Sequence, residues 1–163
     1  LTKIALVRAT EPLNLVLCAP KKYFPSNELL SECEKWSKVS GGSVICESDI
    51  SKATKDADIL YTDVWVSMGE PDEVWAERIN DLKDYQVNMK VLKMAKPSAI
   101  FMHDLPSFHD VNTKIGKEIS EKFGIGEMEV TDEVFESPQS VVFDEAENRM
   151  HTIKAVIAAT LGL

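Results

Sequence analysis

Short runs of β-branched and aliphatic residues alternate with longer amphipathic segments along most of the chain. Several of these runs lack an apolar/polar alternation, which is typical of strands that are covered on both faces of a parallel sheet. Six runs are predicted to be strands: Lys3–Val7, Asn14–Cys18, Ser43–Glu47, Asp58–Thr62, Ala99–Met102 and Ser140–Phe143.

Helices are predicted between most of these strands, because capping residues frame the amphipathic segments. The predicted helices begin at Ser26, Asp49, Pro71, Asp110 and Asp144, and end near Val39, Ala57, Leu82, Phe123 and Leu161, respectively. Gly41 and Gly124 are stop signals after two of them. This alternation indicates an α/β domain with a mainly parallel sheet, helices on both faces and right-handed crossovers.

The link between the first two predicted strands does not fit this alternation. It has six residues, 8–13, and one of them is Pro12. A parallel crossover needs about a dozen residues or more, so this link cannot hold a helix and return the chain. Three explanations stay open: the strands are antiparallel, the first segment lies outside the sheet, or a segment of an ancestral domain is missing.

Composition and charge exclude several classes of protein. The chain has 163 residues, of which 44% are hydrophobic, so one domain with a core is expected. Its 18 basic and 27 acidic residues give a net charge of −9, which argues against nucleic-acid and anionic-membrane partners. No apolar run reaches the ~18 residues of a membrane span, and residues 1–17 are interpreted neither as a signal nor as a span.

The cysteines and histidines give no sign of a disulfide or metal framework. Cys18, Cys33 and Cys46 form no CxxC motif, and no HExxH or comparable spacing joins the histidines. We therefore expect no metal, cysteines packed in or near a core, and a cytoplasmic protein.

The first candidate site is the loop of residues 63–70, which follows a predicted strand. Ligands of open α/β sheets bind at the carboxyl ends of strands. Asp63 offers a charge and Ser67 a directed hydrogen bond to an amino group, while Trp65 and Met68 can line the aliphatic part of a small ligand. The alternative is local: Asp63 and Ser67 bonded within a turn, with Trp65 in the core.

The second candidate site, residues 101–110, also follows a predicted strand. His103 is expected at the same sheet edge as Asp63, where a neutral imidazole can donate a hydrogen bond to a carbonyl oxygen. The alternative is a core or edge histidine satisfied by the backbone. Asp104 is either a general base or a capping residue, and Asp110 is interpreted as a helix start.

The third candidate site opens the last predicted helix. Asp144 and Glu145 suit the positive end of the helix dipole, whereas Arg149 does not. Arg149 is therefore a candidate clamp for an anion or a carbonyl oxygen. The alternative is a surface arginine paired with Glu145.

Together these segments resemble the ornithine carbamoyltransferases, over a stretch from about Leu13 to the end of the chain. The DxxxSMG, HCLP and ENR motifs of that family are matched by Asp63, Ser67, Met68 and Gly69, by His103, Leu105 and Pro106, and by Glu147, Asn148 and Arg149. The resemblance is to the second, ornithine-binding domain, which is Rossmann-like, and to the catabolic branch.

The resemblance implies transfer of a carbamoyl group from carbamoyl phosphate to the δ-amine of ornithine, giving citrulline and phosphate, with no metal or other cofactor. Asp63, Ser67 and Met68 would hold the amino-acid end of ornithine. His103 and Arg149 would polarise the carbamoyl oxygen, where charge develops in the transition state. Leu105 would orient the reacting nitrogen through its backbone carbonyl.

Three departures from the family bear on activity. The carbamoyl-phosphate domain, with its STRTR-type loop, has no counterpart here, and the arginines are Arg8, Arg78 and Arg149. Residues 8–13 stand where the family has a GDxxN-type loop and a crossover helix, which favours a deletion. Asp104 replaces the HCLP cysteine, and its charge would favour the protonated δ-ammonium, whose lone pair is unavailable for attack.

We therefore expect residues 1–163 to form a single ornithine-binding-type domain that is weakly active or inactive alone. It would bind ornithine, and carbamoyl phosphate only together with a first domain. Residues 144–163 pack on that first domain in the family, and the apolar residues at helical spacing in this segment would need a partner domain or a second copy in a homo-oligomer. The alternative is a non-catalytic remnant or an amino-acid-binding or interaction module.

Overall fold

The structure, a computed structural model, describes residues 12–67 and 69–162. The chain divides into two compact units, Leu1–Lys55 and Asp56–Leu163. The strand predicted at Lys3–Val7 and most of the short link after it lie outside the described residues. Within the described ranges, no helix has both the length and the apolar character needed to cross a membrane.

The first unit contains a parallel β-α-β arrangement. Strand β1 (Asn14–Cys18) pairs with β2 (Ser43–Glu47), and both have the predicted bounds. Helix α1 (Asn27–Ser40) connects them and is followed, after β2, by the short helix α2 (Ile50–Thr54).

Local sequence signals set the bounds of α1. The Ser26 hydroxyl accepts a hydrogen bond from the Leu29 N–H at 3.3 Å and so caps the first turn. Gly41 ends the helix with φ +81°, a left-handed conformation that costs glycine little. The buried Cys33 then packs with Leu17 in the core of this unit, and all three cysteines are free.

The second unit carries a parallel pair of strands and five helices among its described residues. Strand β3 (Ile59–Thr62) pairs with β4 (Ile100–His103). The helices are α3 (Asp72–Leu82), α4 (Met89–Leu92), α5 (Lys114–Phe123), α6 (Asp132–Phe135) and α7 (Val142–Leu161). The parallel pairing in both units, with helices between the strands, confirms the predicted α/β class.

The core of the second unit holds two loops in place. Trp65 and Val66, from the loop after β3, pack in one buried cluster with Phe108, from the loop after β4. Ile119 and Met128 complete this contact. Because both loops bury apolar side chains in the same core, their positions at the end of the sheet are fixed by packing.

Some predicted elements are wrong. Ser140–Phe143 is not a strand: Ser140 forms an isolated bridge with Phe101, and α7 begins at Val142. Helix α5 begins after Thr113, whose hydroxyl accepts from the Gly116 N–H at 3.0 Å, and not at Asp110. Helices α4 and α6 were not predicted, because four residues are too few to show a helical period.

Candidate functional site

The register of β3 and β4 brings two predicted site residues side by side. Thr62 pairs with His103 at the carboxyl ends of the two parallel strands. Asp63 and Asp104 each follow directly, so they leave neighbouring strands at the same edge of the sheet. Adjacent strands are about 5 Å apart, which places the two carboxylates within reach of one small ligand.

A cavity of about 500 Å³ opens next to this edge, between the end of β4 and the first half of α7. It is lined by His103, Asp104, Glu145, Ala146, Asn148, Arg149, Thr152 and Ile153. Three of the predicted site residues, one at the end of β4, one in the loop after it and one on α7, therefore border one cavity.

The imidazole of His103 is fully buried, and both of its ring nitrogens are hydrogen-bonded. Nδ1 accepts from the Leu105 N–H at 3.0 Å, and Nε2 lies 3.2 Å from Glu129 Oε1. The backbone N–H of His103 also donates to Glu145 Oε2 at 3.2 Å. The ring thus has the form of a satisfied core histidine, and its predicted bond to a carbamoyl oxygen stays a prediction.

The loop after β4 places Asp104 and Leu105 beside this ring. Asp104 Oδ1 lies 3.7 Å from His103 Nδ1, and half of the Asp104 side chain is exposed. Leu105 has φ +46°, in the left-handed region that side chains other than glycine seldom occupy. Such conformations cluster at functional sites, where the surroundings enforce them.

The loop after β3 is anchored by Arg78 from α3. The guanidinium donates to the Trp65 carbonyl at 2.9 Å and lies 3.8 Å from Glu70 Oε1. The other Glu70 oxygen accepts from the Ser67 N–H at 2.8 Å, while the Ser67 side chain is exposed. Trp65 is 7% exposed and fills the core, so the local alternative holds for this residue and it does not line a ligand.

Met68, the remaining predicted ligand contact in that loop, lies outside the described residues. Asp63 is exposed, and its Oδ1 accepts from the N–H of the next residue, Val64, at 2.6 Å.

The electrostatics at the strand ends follow from this crowding of acids. Burial and the neighbouring charge of Asp63 raise the pKa of Asp104. The pKa of Tyr61 is also raised, by burial and by the charges of Glu145 and Asp104. A positively charged group bound here would stabilise the ionised form of Asp104 and so lower its pKa again. This edge of the sheet therefore favours a cation.

Arg149 is exposed on α7 at the border of the cavity. The alternative pairing with Glu145 is not formed in the described part of the chain, where Glu145 binds the His103 backbone instead. The cavity therefore has a guanidinium on its α7 side and a carboxylate, Asp104, at the strand end. That arrangement suits a ligand with separated negative and positive groups.

One group of side chains has the types and spacing of metal ligands. Ligand atoms of His109, Asp110 and Asp132 lie within 4.8 Å of one another. His109 Nδ1 is already 2.8 Å from Asp132 Oδ1, and its ring stacks on Phe135 at a centroid distance of 3.6 Å. These contacts account for His109 and Asp132 as a structural hydrogen-bonded pair.

Sequence reasoning missed Glu145 and Glu129 as neighbours of His103. The sequence suggests Glu145 as a helix-dipole residue or a partner of Arg149, whereas its side chain reaches the β4 backbone. Glu129 carried a usable signal, because it is an acid between the apolar residues Met128 and Val130, where a buried run is expected.

Comparison with known proteins assigns the family. The sequence profile of the aspartate/ornithine carbamoyltransferase Asp/Orn-binding domain matches residues 3–160. An ornithine carbamoyltransferase of Staphylococcus aureus (strain Newman) is 58% identical over 151 residues, which are 92% of this chain and 45% of that protein. A catabolic ornithine carbamoyltransferase of Treponema denticola is 58% identical over 149 residues, 91% of this chain and 44% of that protein.

Solved structures show the same fold. The anabolic ornithine carbamoyltransferase of Campylobacter jejuni superimposes with a TM-score of 0.77 at 28% identity, over 97% of this chain and 46% of that one. The chain thus spans less than half the length of each of these relatives. It belongs to the aspartate/ornithine carbamoyltransferase family and corresponds to the Asp/Orn-binding domain of that family.

Proposed function

We propose that this chain is the ornithine-binding part of a catabolic-type ornithine carbamoyltransferase of the cytoplasm. The observation that carries the proposal is the register of β3 and β4, which sets Asp63 beside Asp104 at the edge of the cavity that Arg149 borders. Relatives that match almost the whole chain are named ornithine carbamoyltransferases, and several of them are named catabolic.

In the proposed complex, the carboxylate of Asp63 and the hydroxyl of Ser67 hold the α-amino end of ornithine, together with Met68. A carboxylate supplies the charge and a hydroxyl the direction of such a contact. The δ-amine then lies toward the loop after β4, where the backbone carbonyl of Leu105 accepts a hydrogen bond from it and orients it.

The reaction is attack of the δ-amine on the carbonyl carbon of carbamoyl phosphate, followed by loss of phosphate from a tetrahedral intermediate. Negative charge develops on the carbamoyl oxygen in that step, so a fixed donor there lowers the barrier. Arg149 borders the cavity and is the proposed donor. His103 is a second proposed donor, although in this structure its ring nitrogens are engaged by Leu105 and Glu129.

Turnover requires a domain that grips the phosphate. Arg78 is engaged by Trp65 and Glu70, and Arg149 is assigned to the carbamoyl oxygen. We propose that a carbamoyl-phosphate-binding domain packs against the exposed apolar side chains of α7, within residues 144–163. These side chains are Ile153, Val156, Ile157 and Leu161, each at least half exposed.

A citrulline assay tests this proposal. We expect little or no citrulline from the chain with ornithine and carbamoyl phosphate, and turnover when a carbamoyl-phosphate domain from a catabolic relative is added. The matched control is the same mixture with Arg149→Met, which keeps a long side chain but has no donor. Equal turnover with Arg149→Met would contradict the role of Arg149.

Asp104 favours a second candidate, a non-catalytic module that binds an amino acid. A carboxylate beside the δ-amine stabilises its protonated form, which cannot attack a carbonyl carbon. The Asp104→Cys variant separates the two candidates. Citrulline formation by the mixture with this variant, or with the unaltered chain, supports the transferase, whereas ornithine binding without turnover in either mixture supports the binding module.

A further inference from the structure

A buried carboxylate lies behind the loop of residues 103–108. The Glu129 side chain is 0% exposed, and its backbone carbonyl accepts from the Val87 N–H at 2.9 Å. Burying a carboxylate is costly unless it is hydrogen-bonded, and among the described residues all the side-chain hydrogen bonds of Glu129 are made by Oε1, while the buried Oε2 has no partner.

Three donors from the two ends of the loop meet at one oxygen of this carboxylate. Glu129 Oε1 accepts from the Phe108 N–H at 2.7 Å and the Ser107 hydroxyl at 2.9 Å, and it lies 3.2 Å from His103 Nε2. Hydrogen bonds to a charged acceptor in a low-dielectric interior are stronger than neutral ones. A single atom thus fixes both ends of the six-residue segment from His103 to Phe108.

The contact with His103 extends to Leu105. A carboxylate only accepts hydrogen bonds, so the proton of the neutral imidazole is on Nε2 and Nδ1 is left as an acceptor. That acceptor is used by the Leu105 N–H at 3.0 Å, which holds Leu105 at φ +46°. The opposite tautomer would present an N–H to the Leu105 N–H and break this contact.

We propose that Glu129 is a positioning residue of the ligand site, because it fixes the His103 tautomer that holds the backbone of Leu105, the residue next to Asp104, in the conformation seen here. The link between the loop conformation and ornithine binding rests on the proposed function. The effect of Glu129 on the His103 tautomer, and of that tautomer on Leu105, is independent of the proposed function. In this conformation His103 acts through the loop, and its proposed bond to a carbamoyl oxygen requires Nε2 to leave Glu129.

The test combines imidazole ¹⁵N NMR with ornithine calorimetry on the full chain. Glu129→Gln keeps an acceptor oxygen but no charge, and Glu129→Met keeps the length but no acceptor. Glu133→Gln and Glu133→Met are matched controls at an exposed position four residues along the chain. The His103 ring signals are assigned by their loss in His103→Asn.

We expect the unaltered chain, Glu129→Gln and both controls to carry the His103 proton on Nε2. In Glu129→Met, we expect the Nδ1-protonated form to appear and the Leu105 amide signal to shift. The ornithine Kd should rise about 3-fold in Glu129→Gln and by roughly 30-fold or more in Glu129→Met, and it should stay unchanged in the controls. Each ten-fold change in Kd corresponds to about 1.4 kcal/mol of binding free energy.

Each of these measurements has an outcome that would contradict the proposal. An Nδ1-protonated His103 in the unaltered chain, or an unchanged tautomer in Glu129→Met, overturns the role of Glu129 whether or not ornithine binds. A changed tautomer with an unchanged Kd overturns the link to binding. If Glu129→Met does not fold, a Glu129→Gln chain with the ornithine Kd of the unaltered chain overturns that link. Absence of ornithine binding by the unaltered chain refutes the proposed function and leaves the tautomer result to stand alone.

Discussion

Replacing Asp104 by asparagine removes one of the two carboxylates that β3 and β4 bring together. Burial and the charge of Asp63 raise the pKa of Asp104 in the folded chain. An acid whose pKa is raised by folding destabilises the fold wherever it is ionised. We therefore expect Asp104→Asn to make the second unit more stable at neutral pH.

The size of the effect follows from the spacing of the strands. Two like charges about 5 Å apart repel by roughly 1 kcal/mol in water and about 3 kcal/mol at an effective dielectric constant near 20. Half of the Asp104 side chain is exposed, which favours the lower value. A gain of about 1 kcal/mol corresponds to a rise in Tm of roughly 2–4 °C for a chain of this length.

The raised pKa of Asp104 also determines how the stability of the chain changes with pH. Between the unfolded and the raised folded pKa of Asp104, the folded chain binds more protons than the unfolded chain. The unaltered chain therefore loses stability as pH rises through that interval, and the gain from Asp104→Asn is present above it and disappears below about pH 4.

Urea unfolding at neutral and acidic pH measures this difference. The matched control is Asp84→Asn, the same chemical change at an exposed position, which should leave the unfolding midpoint nearly unchanged. A loss of stability in Asp104→Asn at neutral pH, or an equal gain at both pH values, would refute the electrostatic reasoning.

Three further predictions concern binding and the loops. Ornithine binding should weaken on acidification, and the loss should begin at a higher pH than for an aspartate with an ordinary pKa, because the pKa of Asp104 is raised. Calorimetry in two buffers of different ionisation enthalpy should therefore detect proton release on binding. A binding enthalpy that is the same in both buffers would contradict this prediction. Val66→Ala, at a side chain that is 1% exposed, should destabilise the second unit by roughly 2 kcal/mol in urea unfolding, whereas Val39→Ala, at a side chain that is 83% exposed, should change little. Arg149→Lys should reduce citrulline formation in the two-domain mixture far more than it reduces ornithine affinity, because lysine lacks the planar fork of donors; an equal loss in both would place Arg149 on ornithine.

The parts of the fold that were predicted correctly depend on local signals. Ser26 and Gly41 mark α1 through a side-chain cap and a left-handed turn, and both act within a few residues. The predicted strand at Ser140–Phe143 failed because its β-branched residues were interpreted without their tertiary context. Val142 is 1% exposed as the first residue of α7, where packing overrides the strand propensity.

The candidate site also has a part that the sequence predicted and a part that it did not. The meeting of Asp63 and Asp104 follows from two parallel strands that end at one edge, which the sequence pattern already indicates. The contact between the His103 ring and Glu129 could not be predicted in this way, because Glu129 lies 26 residues away along the chain. No local pattern reports which buried acid a histidine will meet, and Glu129 reaches His103 through tertiary contacts with Val87, Ser107 and Phe108.

The most direct test of the ornithine site is amide chemical-shift mapping of the ¹⁵N-labelled chain during titration with L-ornithine. We predict saturable shifts that cluster at residues 63–67 and 104–105, and an Asp63→Asn variant that needs roughly ten-fold more ornithine for the same shifts. Norvaline, which has no δ-amine, should leave the amides of Asp104 and Leu105 unshifted. Shifts confined to other parts of the chain, or an Asp63→Asn titration that matches the unaltered one, would contradict the account.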